Sequence, residues 1–259
     1  MRAVRTVALA LLLLGAACST LPEGQRSDAP VTGPPEIEPA TIERHAAQFD
    51  EEEPVREPGS QQELAASAYI VAHVTDAGYV FRLDAVPVRD LVRSTNVVAL
   101  PPGGEEAGTI VVAGYDSTET SEPNGHAIGV WLEVARALRV VDRAHGVQFV
   151  ALGAEETQTG DGRLGSRRLA QQLSDDGRSP AIVVIGNVEA GGERVEVSGA
   201  AEEAIRGEAA SAGVPVRVVA TGEGSGTAGV FTAAGFDTTL VEGGAEAVAR
   251  VLLAHLATL

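Results

Sequence analysis

Three short runs of β-branched and apolar residues constrain the fold of this chain more than any other feature. They read TIVVA at residues 109–113, VQFVAL at residues 147–152 and AIVVI at residues 181–185. Such nearly continuous runs are typical of strands that are covered on both faces, as in the middle of a parallel sheet. The sequence therefore predicts three central strands in a buried sheet.

Stretches with helical periodicity alternate with these runs along the chain. They lie at residues 61–77, 128–141, 164–173, 200–212 and 246–259. Shorter runs predict further strands at residues 79–83, 96–100, 214–220 and 238–241. This alternation predicts an α/β fold, a three-layer sandwich around a mixed and mostly parallel central sheet. Residues 61–259 are long enough to form it as one domain with a sizeable core.

The amino terminus has the pattern of a segment that directs export. Arg2 and Arg5 precede an apolar run over residues 7–17. A basic start, an apolar run of about 7–15 residues and a small-residue end are typical of a secretory signal. The run is shorter than the roughly 20 apolar residues that a membrane-spanning helix needs. Residues 1–17 are therefore predicted to be a signal peptide.

Cys18 comes directly after this run and is the only cysteine of the chain. The segment LGAAC at residues 14–18 resembles the lipobox of bacterial lipoproteins, in which the cysteine becomes the lipidated first residue. Lipid on Cys18 predicts an exported protein tethered to a membrane of the cell envelope, on its periplasmic or extracellular face. An ordinary signal peptide cleaved near Ala17, with an incidental cysteine, is the alternative.

Residues 18–60 differ in composition from residues 61–259. They are rich in Pro, Glu, Asp and Ser, and they contain the acidic block DEEE at residues 50–53. A segment with so few large apolar residues buries too little surface to order itself. Residues 18–60 are therefore predicted to be a disordered tether, in which His45 is solvated.

The net charge of the chain is −17, and none of its residues is lysine. Nucleic-acid binding depends on contacts between phosphates and Lys or Arg, so this balance argues against a nucleic-acid partner. A peptide or protein ligand is compatible with it, and the membrane is expected as a partner only through the lipid anchor.

The loops after the three central runs are the expected place for a ligand, because open α/β sheets bind ligands beyond the carboxyl ends of their strands. These loops read GYDS at residues 114–117, GAEE at residues 153–156 and GNVE at residues 186–189. Each of them contains a carboxylate, and the loops would meet at one edge of the sheet.

Six segments make residues 61–259 resemble family 28 of the metallopeptidases, the co-catalytic zinc aminopeptidases. They lie, in the family's order, at residues 96–103, 109–117, 123–138, 149–156, 164–166 and 231–236. The resemblance implies a zinc-peptidase-like fold. It also implies a centre in which two zinc ions, held by five side chains, activate a water that a neighbouring glutamate deprotonates.

Three residues of that centre are retained. By the resemblance, Glu155 is the general base, Glu156 is a zinc ligand, and Asp116 is the residue that orients the first histidine ligand. Without cations, a cluster of these three carboxylates would be repulsive. One or more of them is therefore expected to have a raised pKa or to turn outward to solvent.

The other ligand positions are lost. The first histidine falls on Gly114, the bridging aspartate on Pro123 and the last histidine on Ala228. The remaining aspartate falls on Asn187, or on Val188 if the alignment shifts by one residue. Gly, Pro, Ala and Val offer no donor atom, and zinc requires about four N, O or S ligands.

Two further residues are candidates for replacement. His126 lies one turn from Pro123 and is the best substitute metal ligand, although a capping or surface histidine is the simpler interpretation. Asp161 lies in a loop over residues 157–163 that is longer than the family pattern. His145 and His255 are expected to be structural or exposed.

These observations lead to one main hypothesis and two alternatives. The main hypothesis is a non-catalytic binding or scaffold protein with no cofactor. The first alternative is an active metallo-aminopeptidase with a rearranged or single zinc site, in which Glu155 is the base and Glu156, Asn187 and His126 are ligands. The second is hydrolysis without a metal.

Overall fold

The computed structural model describes residues 36–101, 107–141, 144–156, 162–219 and 226–259. The predicted signal peptide, Cys18 and Asp161 lie outside these residues. Within the described part of the chain, no helix is both long enough and apolar enough to cross a membrane.

A single mixed sheet runs through the described residues. Its strands are β1 (Val80–Arg89), β2 (Val92–Leu100), β3 (Thr109–Gly114), β4 (Val147–Leu152), β5 (Ala181–Glu189), β6 (Val195–Gly199), β7 (Val216–Val218) and β8 (Thr238–Gly244). Their order in the sheet is β1-β2-β4-β3-β5-β8-β6-β7. The neighbours β4, β3, β5 and β8 are parallel, whereas β2 and β6 join them antiparallel. The three predicted central strands are confirmed, and the carboxyl ends of β3, β4 and β5 share one edge.

Helices cover both faces of the sheet. They are α1 (Pro39–Ala47), α2 (Gln61–Asp76), α3 (Gly125–Val140), α4 (Leu164–Asp175), α5 (Glu202–Ser211), α6 (Gly226–Ala233) and α7 (Ala245–Leu256), with a π-helical turn, Gln48–Glu52, after α1. One core cluster joins the sheet to α1, α2, α3, α5 and α7, and a second joins it to α4 and α6. The predicted three-layer α/β fold is confirmed. The sequence missed α1, β6 and α6.

Helix α3 is the central helix of the larger core. It is apolar almost all round, as expected for a helix that packs against the sheet on one side and against other helices on the other. Trp131 is fully buried and donates a hydrogen bond from Nε1 to the carbonyl of Val111, 3.2 Å away. A Cβ added at Gly129 would lie 2.7 Å from the carbonyl oxygen of Ile42, so this glycine allows the close approach of α1.

The prediction of a disordered tether is wrong for residues 36–60. Ile42, Ala46 and Phe49 follow helical spacing and are at most 2 % exposed, so α1 and the following turn bury an apolar face. The overall acidic composition of the segment gives no indication of this face. His45 is also buried rather than solvated, and its Nδ1 lies 2.8 Å from the hydroxyl of Tyr69. The folded domain therefore begins well before residue 61.

Candidate functional site

Asp116 joins the loops that follow β3 and β4. Its side chain is fully buried, and its two carboxylate oxygens accept hydrogen bonds from the backbone N–H groups of Glu155 at 2.7 Å and Glu156 at 2.9 Å. Burial raises the pKa of Asp116 to about 7, although the two backbone donors favour the charged form. By the resemblance, Asp116 would orient the first histidine ligand, but Gly114 stands at that position. In this structure Asp116 holds the Glu155–Glu156 loop in place instead.

Glu155 is buried and has hydrogen-bond partners for both of its carboxylate oxygens. Oε1 accepts from the backbone N–H of Ser166 at 2.7 Å, and Oε2 accepts from the hydroxyl of Thr227 at 2.6 Å. Ser166 belongs to the first turn of α4, where free N–H groups favour a carboxylate. Burial raises the pKa of Glu155. The residue that the resemblance makes a general base is here a buried acceptor that joins α4 to α6.

Glu156 points outward and pairs with an arginine. Nη1 of Arg163 lies 2.5 Å from Oε1 of Glu156 and donates to the backbone carbonyl of Glu155 at 3.2 Å. The side chain of Arg163 is 30 % exposed and that of Glu156 is 37 % exposed. We call Asp116, Glu155, Glu156 and Arg163 the strand-end cluster. Burial is the first cause of the raised pKa of both Asp116 and Glu155, and Glu156 is paired with a cation, so the cluster does not have the cation-free crowding that the sequence suggested.

Three positions of the lost ligands, Gly114, Pro123 and Ala228, have no side-chain atom that could bind a metal. A Cβ added at Gly114 would lie 3.3 Å from Cγ of Glu155, and Ala228 is buried against the smaller core. Pro123 is exposed in the loop before α3. Asn187 is exposed on β5, and its backbone N–H donates to Oε1 of Glu242 at 3.1 Å.

His126 faces residues 36–60, which we call the amino-terminal segment. Its Nε2 lies 3.1 Å from Oε2 of Glu43 on α1, and its Nδ1 lies 4.0 Å from Oδ2 of Asp50. Within the described residues, no group of three or more His, Cys, Asp or Glu side chains is arranged to hold a metal ion. The structure therefore does not bring Glu156 and His126 together in such a set, and Asn187 contacts Glu242 instead.

Arg56 supports the loop that carries Asp116, directly and through Asn124. Its guanidinium is almost fully buried and donates to the backbone carbonyls of Tyr115, Phe49 and Glu53 and to the side-chain oxygen of Asn124. Asn124 in turn donates to the carbonyls of Gly114 and Asp116, at 3.1 and 2.9 Å. Burial lowers the pKa of Arg56, and nearby carboxylates oppose this effect.

Sequence reasoning missed the residues that satisfy these carboxylates. Arg163 stood only as the end of a loop, and neither Thr227 nor Arg56 belonged to any motif. Arg163 lies seven residues after Glu156, so an arginine soon after the paired glutamates is the one local signal available.

The residues at this edge do not fit a centre of two zinc ions. Each zinc ion requires about four ligands. Glu156 is paired with a guanidinium, Glu155 accepts hydrogen bonds on both oxygens, and the other family positions carry no charged donor. A cation is present at the cluster, but it belongs to the chain itself.

Comparison with known proteins agrees with the fold and with the sequence motifs. A sequence model described as "Peptidase family M28" matches residues 96–235, more than half of the chain. No curated protein matches the sequence significantly.

Solved structures are similar at low sequence identity. The LapA aminopeptidase of Legionella pneumophila has a TM-score of 0.70 and 13 % identity, over 85 % of this chain and 71 % of LapA. A glutaminyl cyclase of Porphyromonas gingivalis has a TM-score of 0.73 and 16 % identity, over 85 % of this chain and 98 % of its own. A putative zinc-dependent exopeptidase of Bacteroides vulgatus has a TM-score of 0.71 and 16 % identity, over 88 % and 99 %. At this identity the likeness establishes the zinc-peptidase-like fold.

Proposed function

This chain belongs to peptidase family M28, and we propose that it is a member without peptidase activity that serves as a binding or scaffold protein. Its ligand is a peptide or a protein. The proposal rests on the side chains at the carboxyl ends of the strands, because fold alone does not carry function.

One observation carries the proposal: Gly114, Pro123 and Ala228 leave the retained Glu156 without further metal ligands, and Arg163 pairs with it at 2.5 Å. A guanidinium neutralises the carboxylate that zinc would have to bind, and it cannot be deprotonated near neutral pH. Metal binding at Glu156 would have to displace this arginine without help from Gly114, Pro123 or Ala228.

The second retained residue supports the same conclusion. A general base must reach a proton on a water or substrate, at a hydrogen-bond distance of about 2.6–3.2 Å. Glu155 is only 3 % exposed, and its two carboxylate oxygens each lie within 2.7 Å of a donor, on α4 and on α6. Glu155 therefore serves to hold the two helices together at the rim of the site.

The rival function is catalysis with zinc. The similar structures include proteins named as an aminopeptidase and as a glutaminyl cyclase, so release of amino-terminal residues and cyclisation of amino-terminal glutamine are the two reactions to test. In the rival, Glu155 acts as the base, with Glu156, Asn187 and His126 as ligands.

Zinc content and turnover distinguish the two functions. The test uses the chain from residue 18 onward with Cys18→Ser, purified with and without added zinc, and Glu155→Gln as the matched variant. We expect far less than one zinc per chain by elemental analysis, and no turnover of aminoacyl p-nitroanilides or of peptides with amino-terminal glutamine. Stoichiometric zinc together with turnover that Glu155→Gln abolishes would overturn the proposal. Turnover without zinc would favour hydrolysis without a metal.

We also propose that the protein is exported and anchored by lipid on Cys18, with residues 1–17 as the signal peptide. The support is the apolar run that ends at the lone cysteine. Mass spectrometry of the mature amino terminus should show a diacylated or triacylated Cys18. Cys18→Ser should move the protein from the membrane fraction to the soluble fraction, and an unmodified cysteine in the wild type would contradict the proposal.

A further inference from the structure

The two outer edges of the sheet differ in length and in protection. At one edge, β7 is only three residues long, and its Arg217 pairs with Glu196 of the neighbouring strand at 2.6 Å. At the other edge, β1 is ten residues long. An edge strand presents unpaired backbone N–H and C=O groups, and natural proteins protect long edges with charges, proline, bulges or a covering element.

The proline and the irregular register that interrupt β1 lie at one end only. Pro87 and the irregular register between Pro87 and Arg89 interrupt the strand close to the hairpin turn. Residues 80–86 contain neither proline nor a register shift. Three large apolar side chains are exposed there: Val80 at 56 %, Phe81 at 42 % and Leu83 at 53 %. Among the described residues β1 pairs with β2 alone, so the outer side of this half is available to another strand.

The sequence of this half is complementary to itself in the antiparallel direction. Pairing centred on Leu83 places Arg82 opposite Asp84 of a second copy, and Asp84 opposite Arg82 of that copy. It also places Phe81 opposite Ala85. Centres on Arg82 or on Asp84 would instead place like charges directly opposite each other, which is destabilising.

The charges already have the required positions. Nε of Arg82 lies 2.8 Å from Oδ1 of Asp84 in the same strand, and the two side chains share one face of the sheet. Antiparallel pairing with a second copy turns this pair into a square of alternating charges. Such self-complementarity is what a two-fold interface requires.

We propose that β1 pairs antiparallel with β1 of a second copy of this chain, centred on Leu83, so that one sheet continues through both copies. This interface goes beyond the proposed function and does not depend on it. Strand β1 is separated from β4 by β2, so the edge and the strand-end cluster can be altered independently.

Charge reversal tests the pairing directly. The test protein is the chain from residue 18 onward with Cys18→Ser. Sedimentation velocity at about 1–100 μM should show a monomer–dimer equilibrium with a dissociation constant within that concentration range. Arg82→Asp places Asp opposite Asp84, and Asp84→Arg places Arg opposite Arg82. We expect each to weaken dimerisation at least about tenfold, because like charges replace opposite ones at both pairs.

The double variant Arg82→Asp/Asp84→Arg restores opposite charges in the same geometry and should restore the dimer. Arg217→Asp, at the other edge, is the matched control and should leave the dimer unchanged. Circular dichroism of every variant checks that the fold is kept. A wild-type protein that stays monomeric over the whole range, or a double variant as weak as the singles, would overturn the proposal.

Discussion

Arg56 contacts the loop after β3 and Arg163 contacts the loop after β4, in different surroundings. Arg56 is 1 % exposed, and its hydrogen-bond acceptors are three backbone carbonyls and the side chain of Asn124. The side chain of Arg163 is 30 % exposed, and it pairs with the carboxylate of Glu156. One arginine is satisfied by neutral groups inside the protein, and the other by a charge at its surface.

The difference in burial indicates that Arg56 stabilises the fold, whereas the contact of Arg163 with Glu156 can be exchanged for another. A buried guanidinium has lost its water, so every donor needs a protein acceptor, and removal leaves buried carbonyls without a partner. A half-exposed ion pair is screened by water and contributes little to stability. We infer that the amino-terminal segment holds the loop after β3 in place through the buried contacts of Arg56. The Arg163–Glu156 pair is partly exposed, so a ligand can compete for it.

Removal of the whole segment should have the largest effect. A chain that begins at Gln61 lacks α1, Phe49 and Arg56, and loses an apolar face and the buried guanidinium together. The loss should exceed the ~5–15 kcal/mol by which domains are stable. We expect no cooperative thermal unfolding by circular dichroism, whereas the chain that begins at Glu36 should unfold cooperatively. A cooperative transition in both would show that the segment is dispensable.

Arg56→Ala alone should cost at least about 3 kcal/mol, because each buried acceptor left without a donor costs about 1–3 kcal/mol. The carbonyls of Phe49, Glu53 and Tyr115 lose their donor in this variant. Denaturant unfolding measures the change, with Arg194→Ala as a surface control because that side chain is 61 % exposed. Equal effects of the two substitutions would remove the distinction between buried and exposed arginines.

The two regions should also respond to acid with opposite signs. Burial lowers the pKa of His45 to about 3, so the unfolded chain takes up a proton below pH 6.5 and stability falls with pH down to about 3. Burial raises the pKa of Asp116 to about 7, so the folded protein takes up a proton first and stability rises as the pH falls from 7 toward 3.8. Between pH 6.5 and 5 each effect amounts to about 2 kcal/mol.

The opposing contributions can be separated by substitution. Relative to the wild type, His45→Asn should make stability rise more steeply as the pH falls from 6.5 to 5, and Asp116→Asn should make it fall. Urea unfolding at a series of pH values measures both slopes. Slopes of the same sign in the two variants would contradict the assignment.

The smallest effect is expected at the surface pair. Arg163→Ala should change the free energy of unfolding by at most about 1 kcal/mol, the usual value of exposed ion pairs. Glu156→Gln is the matched variant and should be equally mild. A loss for Arg163→Ala comparable with that for Arg56→Ala would mean that the strand-end cluster is structural as well.

Patterns that repeat along the chain were predictable, and contacts between distant residues were not. The runs at residues 109–113, 147–152 and 181–185 became β3, β4 and β5 because a doubly covered strand is apolar throughout. Strand β6, with the sequence VEVSG, has only two apolar residues and lacks the continuous apolar run of β3, β4 and β5. Helix α1 was missed because three apolar positions on one face stand among charged neighbours.

The candidate site divides in the same way. Gly114, Pro123 and Ala228 mark missing ligands because glycine, proline and alanine offer no donor atom, and that is evident from the sequence. The pairing of Arg163 with Glu156, and of Thr227 with Glu155, depends on how a loop and a helix close over the strand ends. Neither pairing leaves a periodic signal.

The long reach of the amino-terminal segment sets an order of events during synthesis. Arg56 bonds to residues 59 and 68 positions later, and the backbone N–H of Glu38 donates to the buried Glu133, 95 positions later. The segment is synthesised before α3 but has no surface to dock on until α3 has been made. Closing loops of this length costs entropy that only the assembled core offsets. A segment that is synthesised before the core is therefore among the last parts of the domain to fold.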